Sequence, residues 1–129
     1  MSKAKAHNSK SYEDISGKYW CSIKRSATKR NIEFNITKEE AWEIFLKQNK
    51  RCIYTGIKIT HFKYIGRKNG KDMYYLGTAS LDRKHSVLGY IKDNIQWVHK
   101  DVNFMKSNFK ESYFLKLCKL IVRRLLLCR

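Results

Sequence analysis

The chain contains no proline, and its 11 acidic residues face 28 lysines and arginines. Without proline there is no Pro-rich linker to divide it, and no internal repeat is found. At 129 residues it is expected to fold as one compact domain. No run of eighteen apolar residues occurs, so no membrane-spanning helix is expected. The opening MSKAKAHNSK is basic, but no apolar segment follows it. A secretory signal is therefore not expected, and a cytosol in which thiols stay reduced is. The four cysteines, Cys21, Cys52, Cys118 and Cys128, include no C-x-x-C pair, which argues against a zinc ribbon. Cys52 and Cys118 are read as small buried hydrophobes.

What the chain has in excess is positive charge, a net +17. Self-repulsion on that scale favours a polyanionic partner, and nucleic acid leads. A membrane surface would need a basic amphipathic helix with an open apolar face, a reading the C-terminal segment admits. Lysine outnumbers arginine 20 to 8, which favours generic phosphate contact over bidentate base reading.

Residues 1–10 are polar and basic, without periodicity, and are expected to form a flexible tail. Ser11 with Asp14 has the spacing of a capping box, and Ile15, Tyr19 and Ile23 then mark one helix face, with Trp20 and Ala27 alongside. Lys24, Arg25, Lys29 and Arg30 lie elsewhere around that helix, as a solvated face or as phosphate contacts. Thr37 and Glu40 form a second capping box before Ala41, Trp42, Ile44, Phe45 and Leu46; Trp42 and Phe45 are assigned to the core. From about 57 to 82 the pattern is that of strands, with Ile57 and Ile59 alternating with Lys58 and Thr60. Asn69-Gly70 predicts a type I′ hairpin turn. Ile95–Val98 is a short apolar strand or the start of a helix, and 99–107 a short helix. Asn108 with Glu111 is expected to cap a last helix, with Phe114, Leu117, Cys118, Ile121 and Leu125 on one face.

Three features converge between 79 and 106. ASLDR places an acid and an arginine at a strand end. Asn94 stands in DNIQWV. His99-x-x-x-Asn103-x-x-Lys106 falls on the expected short helix. Positions i and i+4 share a helix face, so the His99 ring and the Asn103 amide oxygen could reach one ion. Asp82, seventeen residues before His99, could fold back beside them. Carboxylate, imidazole and amide oxygen form a fairly hard donor set, suited to Mg²⁺ or Mn²⁺.

CIYTGIKI, ASLDRKHSVLGY, DNIQWVHKDVNFMK and FLKLC resemble segments of the phage-type HNH endonucleases, from about Trp20 to Cys118. The resemblance implies an α+β fold: a ββα-metal core of β-hairpin and helix over about 50–108, within one domain spanning 11–129 and flanked by N- and C-terminal helices. It implies a metal-dependent DNA endonuclease in a bacterial or phage-infected cell, cutting double-stranded DNA to 5′-phosphate and 3′-hydroxyl ends. One divalent metal would be held by Asp82, His99 and Asn103. Asn94 would brace the intervening loop, and Lys106 would lie near phosphate.

The family often carries a histidine general base directly after its first ligand. Arg83 stands there instead. A guanidinium cannot take a proton near neutrality, but it can clamp a phosphate through two parallel hydrogen bonds. The base is then Tyr54, which matches a tyrosine of a D-R member of the superfamily, or His85, of the residue type suited to proton transfer near neutral pH, or a metal-activated water. Two rivals stand beside the nuclease: a non-catalytic DNA-binding module on the same scaffold, and a basic RNA-binding protein. Recognition sequence, nicking against double-strand cutting, and a homodimer are left open.

Overall fold

The computed structural model describes residues 10–128, so the expected tail lies, but for Lys10, outside the described residues. The fold is mixed α and β, with four α-helices and three two-stranded sheets among the described residues. In chain order the elements are α1 (Gly17–Lys29), β1 (Phe34–Asn35), α2 (Lys38–Lys47), β2 (Lys63–Lys68) and β3 (Lys71–Tyr75). There follow β4 (Ala79–Arg83), β5 (Tyr90–Ile91), a 3₁₀ turn (Lys92–Asn94), β6 (Ile95–His99), α3 (Lys100–Lys106) and α4 (Glu111–Leu127).

Local chemistry sets most of these boundaries. α2 starts where expected: the Thr37 side chain accepts from the Glu40 N–H while the Glu40 carboxylate takes the Thr37 N–H, satisfying two orphan donors at once. α1 does not start at Ser11. Its N-cap is Ser16, whose hydroxyl accepts from the Tyr19 N–H at 3.0 Å, and residues 12–15 close a small turn of their own. α4 likewise begins after Lys110 without a side-chain cap, so the expected Asn108 cap is not formed. At the β2–β3 turn, Asn69 and Gly70 have φ of 53° and 75°, as a type I′ turn requires. Residues 57–60 make only an isolated bridge between Lys58 and Arg51, not the expected strand.

Trp97 on β6 centres the core and is fully buried. Its indole N–H donates to the Ala41 carbonyl of α2 at 2.8 Å. Its ring meets Phe45, His61 and Tyr19. The Gln48 side-chain amide clasps the Trp97 backbone, accepting its N–H at 2.9 Å and donating to its carbonyl at 2.8 Å. Tyr19 of α1 caps the open edge of β4 by accepting the Leu81 N–H at 3.0 Å. These bonds seat both N-terminal helices on the antiparallel β4–β6 pair. Elsewhere, β1 and β5 pair in parallel, Phe34 opposite Tyr90. Gly89 lets that pair close, because a Cβ there would stand 2.6 Å from Glu33.

His61 is wedged among Trp42, Phe45 and Trp97, and its Nε2 is buried without a partner. Burial lowers its pKa from 6.5 to about 4, offset only in part by the Asp14 carboxylate. α4 departs from expectation past its first turn. Phe114 is buried, Leu117 and Cys118 are half-buried, but Ile121 and Leu125 are exposed. No described helix is long and apolar enough to cross a membrane.

Two tests follow from this packing. Gly77→Ala would place a Cβ 2.3 Å from the His61 carbonyl carbon, a backbone clash that no rotamer relieves. It is expected to destabilise by about 3 kcal/mol, the upper end for overpacking, read by urea denaturation. For His61, the folded pKa lies below the unfolded one, so between 6.5 and about 4 the unfolded chain holds the extra proton. Stability is full above 6.5 and should fall as pH drops toward 4, by at most about 3 kcal/mol. His61→Phe should flatten that window in melts taken across it.

Candidate active site

The site is built on β4, β6 and α3. In the β4–β6 ladder Ser80 lies opposite Val98 and Asp82 opposite Gln96, so Ser80 and Asp82 share one face of the pair. α3 lies along that face. Asn103 Nδ2 donates to Ser80 Oγ at 2.8 Å. One helical turn on, the Lys106 ammonium sits 3.1 Å from both Asp82 carboxylate oxygens and donates to the Arg83 carbonyl at 2.9 Å. Two strand residues at i and i+2 are thus matched by two helix residues at i and i+3.

The Asp82–Lys106 pair is buried, at 6% and 1% exposure. Such a pair holds only if the remaining polar capacity is satisfied. Gln96 supplies this: its Nε2 donates to Asp82 Oδ2 at 2.9 Å and to the Tyr54 hydroxyl at 2.8 Å. Tyr54 donates onward to Glu111 Oε1 at 2.6 Å. A continuous relay therefore runs from Lys106 through Asp82, Gln96 and Tyr54 to Glu111 on α4. Burial first, then the Glu111 carboxylate, push the Tyr54 phenol well above its ordinary value, so it keeps its proton near neutrality.

Above Asp82 a cleft of about 530 Å³ opens, lined by Asp82, Arg83, Asn103, Arg30, Lys100 and Phe104 among others. Asn103, which also lines the cleft, has its amide nitrogen tied to Ser80, and no hydrogen bond to its amide oxygen is seen among the described residues. Arg83 is held from the far side: its Nη1 donates to the Ser86 and Leu88 carbonyls at 2.6 and 3.0 Å, and its guanidinium lies over the Tyr90 ring. Asn94 fixes the same loop. Its side chain accepts from the His85 N–H and donates to the His85 and Gly89 carbonyls. It lies buried where the loop-bracing role would put it.

The expected site residues are only partly brought together. Asp82, Arg83 and Asn103 share the cleft. His99 does not. The strand runs one residue further than expected, pairing His99 with Ala79, and the helix begins at Lys100. His99 is the N-cap, its Nδ1 accepting from the Asp101 N–H at 3.1 Å. By alternation its side chain falls on the face of Ala79 and Leu81, opposite to Asp82 and about 10 Å along the ladder. The shared i, i+4 helix face for His99 and Asn103 is therefore not formed. Lys106 is not at the surface, where the expected phosphate contact would place it: its ammonium is buried against Asp82, and the residue is not part of the cleft lining. Tyr54 faces Glu111 rather than the cleft. His85 is exposed on the loop and outside the cleft lining. Lys24, Arg25, Lys29 and Arg30 are all exposed on or just after α1, and Arg30 reaches the cleft rim.

Sequence reasoning missed Gln96, Ser80 and Glu111. Gln96 had a readable signal, a lone amide inside the apolar run Ile95–Val98, where an unpaired polar group would be costly. Among the described residues no three His, Cys, Asp or Glu side chains converge as a metal cluster. Comparison with protein-family models, with curated proteins and with solved structures finds no match.

Lys106→Met should cost about 3–5 kcal/mol, because it strands the Asp82 carboxylate. Adding Asp82→Asn, which removes that charge, should recover part of the loss. Urea unfolding of the two single variants and the double gives the coupling directly.

Proposed function

We propose that the chain is a metal-dependent DNA endonuclease of the HNH, ββα-metal kind, with its active site in the cleft above Asp82. One observation carries the reading: a carboxylate and an uncommitted amide oxygen, Asp82 and Asn103, face one cleft whose rim carries Arg30 and Lys100. That is an arrangement for a phosphate backbone. The order of the elements, an antiparallel pair followed by a helix along one face, agrees with a ββα core.

The residues present fit a hard divalent cation, Mg²⁺ or Mn²⁺, at the cleft. A carboxylate offers about four lone-pair directions. Lys106 and Gln96 take up three in Asp82, which leaves one. Magnesium sites commonly use one or two protein oxygens and fill the remainder with water and substrate phosphate. Such an ion supplies neutralisation of charge developing on the phosphate. The chain supplies the rest. Arg30 and Lys100 draw the backbone in. Arg83, with Nη1 committed to the loop, borders the cleft as a fixed positive group. Lys106 holds Asp82 in one orientation. His99 stands outside this ligand set, and neither Tyr54 nor His85 lines the cleft, which favours an activated water as the base.

The rival of a non-catalytic DNA-binding module is favoured by one observation: Lys106 already neutralises the Asp82 charge from within. A basic RNA-binding protein would use Asp82 only as the buried partner of Lys106 and would show no metal-dependent cleavage. Incubation of supercoiled plasmid with Mg²⁺, Mn²⁺ or EDTA separates these readings, with conversion to open circle or linear DNA expected only with metal.

Asn103 gives a cleaner test than Asp82, since removing Asp82 strands the Lys106 charge. Asn103→Ala gives up one hydrogen bond, a stability loss of about 1 kcal/mol. It should lower cleavage at least a hundredfold while leaving duplex binding in EDTA unchanged. Cleavage at the wild-type rate would remove Asn103 from the metal site.

A further inference from the structure

No residue of β2 or β3 is buried. Every residue of the two strands is exposed except Gly66, which is half-exposed. A lone hairpin is marginal in water, so a ribbon maintained with no face in the core calls for a reason outside it.

Its register sorts the charges. Lys63 lies opposite Tyr75, Gly66 opposite Met73 and Lys68 opposite Lys71, whereas Tyr64 lies opposite Tyr74 and Arg67 opposite Asp72. Residues directly opposite share a face, and strand alternation with the bulge at Ile65 puts the first three pairs on one face and the last two on the other. The second face is occupied within the chain. Tyr74 stacks on Phe62 and lies under the Lys18 ammonium. Asp72, the ribbon's one acid, is matched by Arg67 at 3.8 Å. The first face carries Lys63, Lys68 and Lys71 and no acid, with Tyr75 and Met73 between them. At its Tyr75 end it meets the rest of the chain, the Tyr75 hydroxyl lying 3.5 Å from Thr60 Oγ1, where Lys63 and Tyr75 border a cleft shared with Glu13 and Asp14.

We propose that this lysine face of the β2–β3 ribbon enters the major groove of double-stranded DNA and holds the duplex while the cleft engages a strand. The inference rests on the duplex-DNA reading above. B-form DNA offers a major groove about 12 Å wide, which admits a two-stranded ribbon, and a minor groove of about 6 Å, which takes one only when the duplex is bent or widened. Six strand residues extend about 20 Å, enough to set Lys63 at one end and Lys68 and Lys71 at the other against the phosphates that flank the groove. Double-stranded RNA would be a poorer partner, because its major groove is too narrow to enter.

The test uses the full chain in EDTA, so that binding is read without cleavage, on a fluorescent 30-base-pair duplex over a range of salt. Lys63→Gln/Lys68→Gln/Lys71→Gln should lower the slope of log affinity on log salt by about 2.7, or about 0.9 per lost phosphate contact. At 0.1 M salt the affinity should fall on the order of a hundredfold. Lys47→Gln/Lys116→Gln/Lys119→Gln removes the same charge elsewhere and should change the slope by less than half as much. Unaltered far-UV circular dichroism confirms that each variant is folded, and the double Lys68→Gln/Lys71→Gln serves if the triple is not. Wild-type protein should protect guanine N7, in the major groove, from dimethyl sulfate, and the triple variant should not. An equal loss in both triple variants, protection confined to the minor groove, tighter binding to duplex RNA, or no binding in EDTA would each overturn the ribbon's role. Plasmid cleavage with metal in any of those cases would leave the nuclease reading standing by itself.

Discussion

The structure turns on one buried ion pair. Placing a carboxylate and an ammonium out of water costs several kcal/mol for each ion unless both are fully bonded. Here Asp82 receives Lys106 and Gln96, and Lys106 also reaches the Arg83 carbonyl. The arrangement tolerates no slippage. A one-residue shift of β4 against β6 would turn Asp82 to the opposite face, and a one-residue rotation of α3 would carry Lys106 away by about 100°. The pair therefore fixes where α3 sits, and with it where the Asn103 oxygen points. Through Gln96 and Tyr54 the same network reaches Glu111, which ties the first turn of α4 to the hairpin.

That pairing also shapes the field at the cleft. A bare carboxylate would repel a phosphate. With its charge offset by an ammonium from beneath and basic side chains at the rim, the cleft presents a net positive mouth over an oxygen floor. On the proposed reading an anionic backbone is attracted before any metal is considered, and the hard cation enters as the partner of both protein and phosphate oxygens. The loop braced by Asn94 and Arg83 is rigid for a separate reason: its carbonyls at Ser86, Leu88, His85 and Gly89 are taken by side chains rather than by a ladder.

Much of the architecture could be read from residue order, and the misreadings have local causes. Thr37 with Glu40, and Asn69 with Gly70, specify their structures because each motif meets a local backbone need that few other arrangements meet as well. Ser11 with Asp14, and Asn108 with Glu111, have the same cap spacing but fail. At the first, Ser16 offers a better-placed hydroxyl. At the second, Glu111 is drawn to the Tyr54 hydroxyl, a contact 57 residues away in sequence. His99 was misassigned through one residue of boundary: helical periodicity extends naturally back to it, but the ladder to Ala79 claims it first. Lys106 shows the limit most plainly. A lysine in a chain of +17 reads as a surface contact, and only the third dimension reveals the single carboxylate that draws it inside.

The parallel pairing of Phe34–Asn35 with Tyr90–Ile91 bears on how the chain is made. Trp20 packs edge-on against Phe34, and Phe34 against Tyr90, so the outer member of that aromatic stack arrives some seventy residues after Trp20. A nascent chain halted before Tyr90 would hold Phe34 with only its Trp20 side covered. The strand bonds that seat both amino-terminal helices come later still, from Leu81 to Tyr19 and from Trp97 to Ala41 and Gln48, so the first third of the chain finds its final seat only when β6 has been made.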